Sequence, residues 1–297
     1  MILDGKRVRD QIQEECAARV AKLRQRGRPP GLAVILAGHD PGSEIYVRNK
    51  VKTCESLGIY SEKLTPPESV TTEELLDLVG SLNRREEIDG ILVQMPLPKQ
   101  VDAKRVLLAV APEKDADGLH PLNLGNLMTG RPGPRPCTPA GVMELFRRYQ
   151  IPISGKNAVV VGRSDLVGKP MAFLLLHENA TVTMCHSKTA DLAGVCARAD
   201  ILVAAMGRPA FITGDFIKPG ATVIDVGMNR LASREEAARI FRGPTERTLV
   251  GDVDPLDMAE KAGAYTPVPG GVGPLTIARL MVNTIDLAER RLGLCCA

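Results

Sequence analysis

Tryptophan is absent from the 297-residue chain, and aromatic residues make up only 3% of it. A binder of single-stranded nucleic acid needs aromatic platforms for its bases, so that class is disfavoured from the start. The core has to be aliphatic, built from Val, Leu, Ile, Ala and Met. An excess of charge of one sign is missing as well. Lys and Arg number 38 against 35 Asp and Glu, for a net charge of +3, and the basic residues are interspersed with acids. A phosphate-backbone partner calls for a basic stripe, whereas a small anionic substrate fits this balance. No apolar run approaches the roughly 18 residues of a membrane span. The opening Met1-Ile-Leu-Asp-Gly-Lys6 has no apolar signal core, and a cytoplasmic location is expected. Metal-binding spacings are lacking too. His39, His120, His177 and His186 form no H-x-x-x-H, and Cys16, Cys54, Cys137, Cys185, Cys196, Cys295 and Cys296 form no C-x-x-C. The cysteines read as reduced, mostly buried apolar residues, with the Cys295-Cys296 pair frayed and inert, and no metal is expected.

The hydrophobic and charged fractions, 44% and 25%, are those of a globular protein long enough for two domains. A helical pattern over 5–26 stops at Gly27-Arg-Pro-Pro-Gly31. Leu32-Ala-Val-Ile-Leu-Ala37 is a continuous apolar run of the kind found in buried parallel strands. Ser43 is the expected N-cap of a helix over 44–57 that ends at Gly58. Thr71 to Asn83 reads as a helix, Asp89–Gln94 as a strand, 102–110 as a helix, and 112–137 as a long loop. A helix over 138–149 follows. From Asn157 strands and helices alternate: strands at 158–161, 181–185, 201–205 and 222–226, helices at 169–178 and 190–198. That rhythm implies a parallel sheet. A final amphipathic helix covers 275–292. The reading is α/β with two domains, 1–137 plus 275–297 and 138–274, the second Rossmann-like.

Val159–Val161 followed by Gly162-Arg-Ser-Asp-Leu-Val-Gly168 and a helix is a phosphate-binding arrangement: glycines admit the pyrophosphate and a helix N-terminus offers N–H groups. The spacing departs from G-x-G-x-x-G, with Ser164 where the second Gly belongs. In NAD sites an acid ends the second strand to hold the ribose. Here Thr181–Cys185 runs into His186-Ser187-Lys188 with no acid. Ser187 and Arg163 can instead hold a 2′-phosphate, which favours NADP. His186 reads equally well as a plain loop residue.

Tyr46 and Lys50 lie one turn apart on a single helix face. Gln94 ends an apolar strand, where parallel sheets place ligands. Asp117 falls in the long loop, where an Asx-type turn before Gly118 explains it equally well.

These features take on meaning together. Asp40-Pro-Gly-Ser-Glu-Ile-Tyr-Val-Arg-Asn-Lys50, Gln94-Met-Pro-Leu-Pro98, Lys114-Asp-Ala-Asp-Gly118, Pro136-Cys-Thr-Pro-Ala-Gly141, Val161-Gly-Arg-Ser164 and Pro267-Val-Pro-Gly-Gly-Val-Gly-Pro274 occur in that order. In this the chain resembles the bifunctional methylenetetrahydrofolate dehydrogenase/cyclohydrolase family, from Leu3-Asp-Gly-Lys6 to the last helix. The resemblance implies a folate cleft between the two domains, a homodimer, and two reactions. NADP+ takes a hydride from 5,10-methylenetetrahydrofolate, and water then opens the 5,10-methenyl cation to 10-formyltetrahydrofolate. It implies that Lys50 is the general acid/base of the water step, that Gln94 orients it, that Asp117 pairs with the pterin N–H groups, and that Tyr46 stacks on the pterin. Val93, Met95 and the segment Pro269, Gly270, Gly271, Val272, Gly273, Pro274 and Leu275 would contact the substrate. Gly162, Arg163, Ser164, Ser187 and Met228 would contact the cofactor. A base near neutral pH calls for a lysine whose pKa is lowered by burial or a nearby cation. Leu275 stands where Met is usual, Met95 where Leu is, and Ala116 where Val is. All are apolar exchanges that touch no acting group.

Three other readings stand beside this one. A different Rossmann dehydrogenase of a small acid explains 157–226 but not Pro269–Pro274. A non-catalytic nucleotide sensor leaves Lys50, Gln94 and Asp117 without a role. A family member with one activity would not need both Lys50 and the Gly162–Ser164 turn.

Overall fold

The computed structural model of the chain describes residues 1–294. The cysteine pair at 295 and 296 lies outside the described residues. The other five cysteines are reduced and buried, as the sequence suggested. Among the described residues no helix is long and apolar enough to cross a membrane.

The chain forms two units. One holds residues 10–137 and those from 277 onward, and the other holds Met1–Arg9 with Thr138–Thr276. The sequence reading grouped residues 1–9 with the first of these. The structure groups them with the second because the Leu3 N–H donates to Tyr265 O (2.8 Å), the Tyr265 N–H to Met1 O (3.0 Å) and the Gly5 N–H to Gly270 O (3.0 Å).

In the N-terminal unit the strands β1 (Gly31–Ile35), β2 (Tyr60–Leu64) and β3 (Gly90–Val93) form a parallel sheet in the order β2-β1-β3. β1 and β3 are buried along their whole length, which is why they read as unbroken apolar runs. β2, Tyr-Ser-Glu-Lys-Leu, is a polar edge strand that no such run announces. The helices α1 (Gly5–Gln25), α2 (Pro41–Leu57), α3 (Thr72–Arg84), α4 (Ala103–Ala109) and α5 (Pro121–Met128) accompany it. Leu75, Val79 and Leu82 of α3 join Ile35, Ile91 and Val93 in one aliphatic cluster. Thr71 caps α3 in a reciprocal pair with Glu74. Two expectations need correction. α2 starts at Pro41 and is capped by Asp40, whose carboxylate accepts from the Ser43 N–H at 2.7 Å, so Ser43 lies inside the helix. The stretch read as a loop over 112–137 contains α5, opened by Pro121 and by the His120 ring accepting from the Leu122 N–H.

In the C-terminal unit β4 (Asn157–Val161), β5 (Thr181–Cys185), β6 (Ile201–Ala204), β7 (Thr222–Asp225), β8 (Asn229–Arg230), β9 (Leu249–Val250) and β10 (Ala264–Tyr265) follow one another. Five of them make a parallel sheet in the order β10-β7-β6-β4-β5, and β8 and β9 pair as a small antiparallel ribbon. The helices are α6 (Cys137–Arg148), α7 (Gly168–His177), α8 (Leu192–Cys196), α9 (Arg234–Ile240) and α10 (Pro255–Lys261). The last helix of the chain, α11, spans Gly273–Arg291. β5 lies on one side of β4, and β6 and β7 lie on the other. The order therefore reverses beside β4, where open α/β sheets leave a crevice at their carboxyl ends.

Asp89, 3% exposed, closes the lower end of the N-terminal unit. Its carboxylate accepts from Arg28 (2.7 and 3.0 Å), from Arg291 (2.7 Å) and from the Gly31 N–H (2.9 Å). Asp89→Ala strips three donors of one buried acceptor and should lower stability by about 3 kcal/mol in denaturant melts. A loss below about 1 kcal/mol would mean that water replaces the carboxylate at little cost.

Candidate active site and dinucleotide pocket

At the carboxyl end of the five-stranded sheet lies a pocket of about 430 Å³. Gly162, Arg163 and Ser164 after β4, His186, Ser187 and Thr189 after β5, and Ala205, Met206 and Arg208 after β6 line it, with Leu192 and Phe211. Gly162 sits at φ +129°, and a Cβ there would stand 2.2 Å from Ala205 O, so only glycine fits the turn. The Ser164 hydroxyl accepts from the N–H groups of Val167 (3.2 Å) and Gly168 (3.4 Å), shaping the first turn of α7 as well as facing the pocket. Arg163 and Ser187 are exposed, and no acidic side chain lines the pocket. The His186 ring accepts from the Lys188 N–H at 3.1 Å, which gives it a local turn-forming role.

Of the expected cofactor residues, the pocket gathers Gly162, Arg163, Ser164 and Ser187. Met228 lies in the turn after β7, half-exposed, and is not among the lining residues. Sequence reasoning missed Met206, Arg208 and Phe211. The Arg208 guanidinium lies 3.9 Å above the Phe211 ring centroid. The same rule that singled out Gln94, a polar residue following an apolar parallel strand, would have pointed to the β6 loop.

The N-terminal unit brings the other expected residues together. Lys50 is 7% exposed, and its Nζ donates to Gln94 Oε1 at 2.9 Å. Gln94 Nε2 donates to Met95 O at 2.7 Å, and the Ser43 hydroxyl donates to the same carbonyl at 3.3 Å. The start of α2 and the turn after β3 are thereby tied together, and the Gln94 amide is held with its oxygen toward Lys50. Val93 is the buried last residue of β3, and Met95 is half-buried beside it.

Asp115 pairs with Ile91 as a parallel bridge, which carries the following residues along β3. The turn before Gly118 is held by Asp115, not Asp117. Asp115 accepts from the N–H of Gly118 (3.0 Å) and His120 (2.7 Å) and from Asn123 Nδ2 (2.9 Å). Buried Asn283 of α11 donates to Ala116 O (2.8 Å) and Arg135 O (2.9 Å), fixing the residue before Asp117 and tying it to the chain at Arg135. Burial pushes the Asp117 carboxyl above the usual carboxylate value, and the Lys50 charge pulls it part of the way back. Burial, then the charge of Asp117, pushes the Cys137 thiol well above the usual value, so Cys137 is a neutral neighbour of the carboxylate. Tyr46, 38% exposed, stands one turn before Lys50 on α2, and partial burial raises its phenol pKa.

The segment Pro269–Leu275 belongs to the C-terminal unit. It begins at a cis Val268–Pro269 bond, and its Val272 and Leu275 side chains are buried. Among the described residues no group of three or more His, Cys, Asp or Glu could hold a metal ion.

Residues 3–117 match the family model described as the catalytic domain of tetrahydrofolate dehydrogenase/cyclohydrolase. Residues 136–292 match the model described as its NAD(P)-binding domain. The chain belongs to the tetrahydrofolate dehydrogenase/cyclohydrolase family. A bifunctional protein FolD of Solibacter usitatus is 66% identical over 99% of both chains, and one from Koribacter versatilis is 62% identical over 98% of both. The structure is similar to that of the bifunctional FolD enzyme of Campylobacter jejuni. That protein is 42% identical, with a TM-score of 0.91 over 98% of this chain and 99% of its own. The Trypanosoma brucei enzyme, solved with NADP and an inhibitor, is 41% identical, with a TM-score of 0.90 over 98% of each chain. As a member of the tetrahydrofolate dehydrogenase/cyclohydrolase family this chain is an enzyme, with an NAD(P)-binding domain and a separate catalytic domain.

Gly162→Ala would push a methyl into the backbone of Ala205, just after β6, and force a positive φ on alanine, a strain of about 1–3 kcal/mol. It should weaken dinucleotide binding measured by calorimetry. Unchanged affinity would mean that the turn yields without disturbing the pocket.

Proposed function

We propose that the chain oxidises 5,10-methylenetetrahydrofolate to the 5,10-methenyl cation with NADP+ and hydrolyses that cation to 10-formyltetrahydrofolate. The observation that carries this reading is the buried Lys50 side chain, whose Nζ donates to Gln94 Oε1, with Asp117 nearby. NADP, when bound, supplies the hydride acceptor. Gly162 would admit its pyrophosphate, and Arg163 and Ser187, which line the same pocket, would hold a 2′-phosphate; the lining residues include no acid to oppose it. Asp117 accepts from two pterin N–H donors, as a carboxylate can. Tyr46 offers its ring as a stacking surface. Val93 and Met95 flank the position, and substrate contact by Pro269–Leu275 is carried over from the family likeness.

In the hydrolytic step water adds to the bridging carbon of the methenyl cation, and Lys50, as the free amine, takes the proton that the water loses. The carbon–N5 bond then breaks as Lys50 returns a proton to N5 and the new hydroxyl gives up its own proton to solvent water, leaving the formyl group on N10. Gln94 keeps Nζ aimed by accepting one of its hydrogen bonds. We also propose a cytoplasmic homodimer. β5, the edge strand of the five-stranded sheet, exposes Thr181, Thr183 and Met184, which supports an interface through that unit.

Incubation with methylenetetrahydrofolate and NADP+ should give NADPH together with methenyl absorbance that then decays. No reduced cofactor with either NADP+ or NAD+ would refute the dehydrogenase. Arg163→Ala should raise the KM for NADP+ by about tenfold or more and leave that for NAD+ nearly unchanged, since an ionic hydrogen bond to phosphate is worth about 1.5–3 kcal/mol. Equal effects on both cofactors would place Arg163 elsewhere than on a 2′-phosphate.

A further inference from the structure

Asp252 lies between β9 and α10, is 0% exposed, and belongs to no motif that the sequence singles out. One carboxylate oxygen accepts from the N–H groups of Met206 (2.6 Å) and Gly207 (2.9 Å). The other accepts from the Arg208 N–H (2.9 Å) and from Asn229 Nδ2 (2.9 Å). Four donors fill the four lone-pair positions of the carboxylate. Three of them are consecutive backbone groups of the β6 loop, whose Met206 and Arg208 line the dinucleotide pocket. The fourth comes from Asn229 of β8, just beyond the turn that follows β7. Gly227 of that turn comes so close that a Cβ would stand 2.3 Å from an Asp252 oxygen.

Asp252 is itself held. Asp225, 1% exposed at the end of β7, accepts from the N–H groups of Asp252 (2.8 Å), Val253 (2.9 Å) and Gly227 (2.9 Å). Thr266 donates through its hydroxyl to Asp225 O and accepts from the Asp225 N–H. Two buried aspartates, one accepting from four N–H donors and the other from three, thus join the loops after β6 and β7 at the carboxyl edge of the sheet.

We propose that Asp252 is a positioning residue for the dinucleotide: through its bonds to Met206, Gly207 and Arg208 it sets the wall of the pocket on the β6 side, with Asp225 as its support. The inference rests on the reading of this pocket as the NADP site. It predicts a defect confined to one of the two activities, because Lys50 and Gln94 lie in the other unit.

Asp252→Asn keeps the shape but turns an NH2 group toward backbone N–H donors. The dissociation constant for NADP+, measured by calorimetry on the full-length protein, should rise at least about tenfold, because buried donors lose their acceptor. The KM for NADP+ should rise with it, while hydrolysis of supplied methenyltetrahydrofolate stays within about twofold of the parent. Asp200→Asn is the control for general destabilisation. Asp200 accepts from Lys218 and the Asn157 N–H at the opposite end of the sheet, and its loss should leave NADP+ affinity unchanged. Asn229→Ala removes one donor and the bridge to the β7 turn, and should raise the dissociation constant about two- to fivefold, as expected for one hydrogen bond. It decides the matter if Asp252→Asn does not fold. Parent-like NADP+ affinity in the folded Asp252 or Asn229 variant overturns the inference, as does an equal loss in the Asp200 control. Failure of the parent protein to bind NADP+ would instead sink the reading of the pocket.

Discussion

A lysine side chain held almost out of water, its Nζ on one amide oxygen, is the constraint around which the N-terminal unit is arranged. An isolated ammonium is costly to bury, so its surroundings must supply fixed partners. Gln94 supplies one, and its own amide is locked by Met95 O. Met95 O is in turn locked to α2 by Ser43. Asp117 supplies an opposing charge in the same neighbourhood, although burial raises its carboxyl. Each member is positioned by backbone: α2 by the Asp40 cap, Gln94 by the end of β3, and Asp117 by the Asp115 turn and Asn283.

Both chemistries follow one architectural rule. In each unit a parallel sheet ends its strands on one edge, and the functional groups sit in the segments just beyond that edge. In the N-terminal unit the proposed groups are Tyr46 and Lys50 on α2, which follows β1, and Gln94 after β3. In the C-terminal unit they are the glycine turn after β4, Ser187 after β5 and the β6 loop. Hydride acceptance needs backbone that approaches a phosphate closely, and glycine provides it. Proton transfer needs a side chain fixed in a dry place, and a helix face against a strand end provides that. The proposed roles assign the two demands to different elements, and on that proposal the reactions should be separable by mutation.

What the sequence made legible follows from burial. β1, β3, β4, β6 and β7 are buried along most or all of their length and read as apolar runs, so the strands and the parallel sheet of the second unit were plain, but not the strand order. β2 is half-exposed and polar, and α5 begins with a proline and carries a glycine, so neither gave a periodic signal. Asp40 and Ser43 are both good caps, and spacing alone did not choose between them. The segment 227–265, with its short ribbon and two short helices, gave no pattern at all, and Asp252 falls within it. Lys50, Gln94 and Asp117 were found through residue types in a family order. The bond from Lys50 to Gln94 spans 44 positions and is invisible to local reading. Asp117 and Asp115 are alike in sequence, and only the turn geometry shows that Asp115 holds the loop.

The central claim is that Lys50 serves the water step and not the hydride step. Lys50→Met keeps much of the side chain's volume and removes its proton chemistry. Assayed separately, the variant should lose hydrolysis of methenyltetrahydrofolate by about 10²-fold or more, the scale of general acid–base catalysis, and retain NADPH formation from methylenetetrahydrofolate at a measurable rate. Near-normal hydrolysis by that variant would contradict the account.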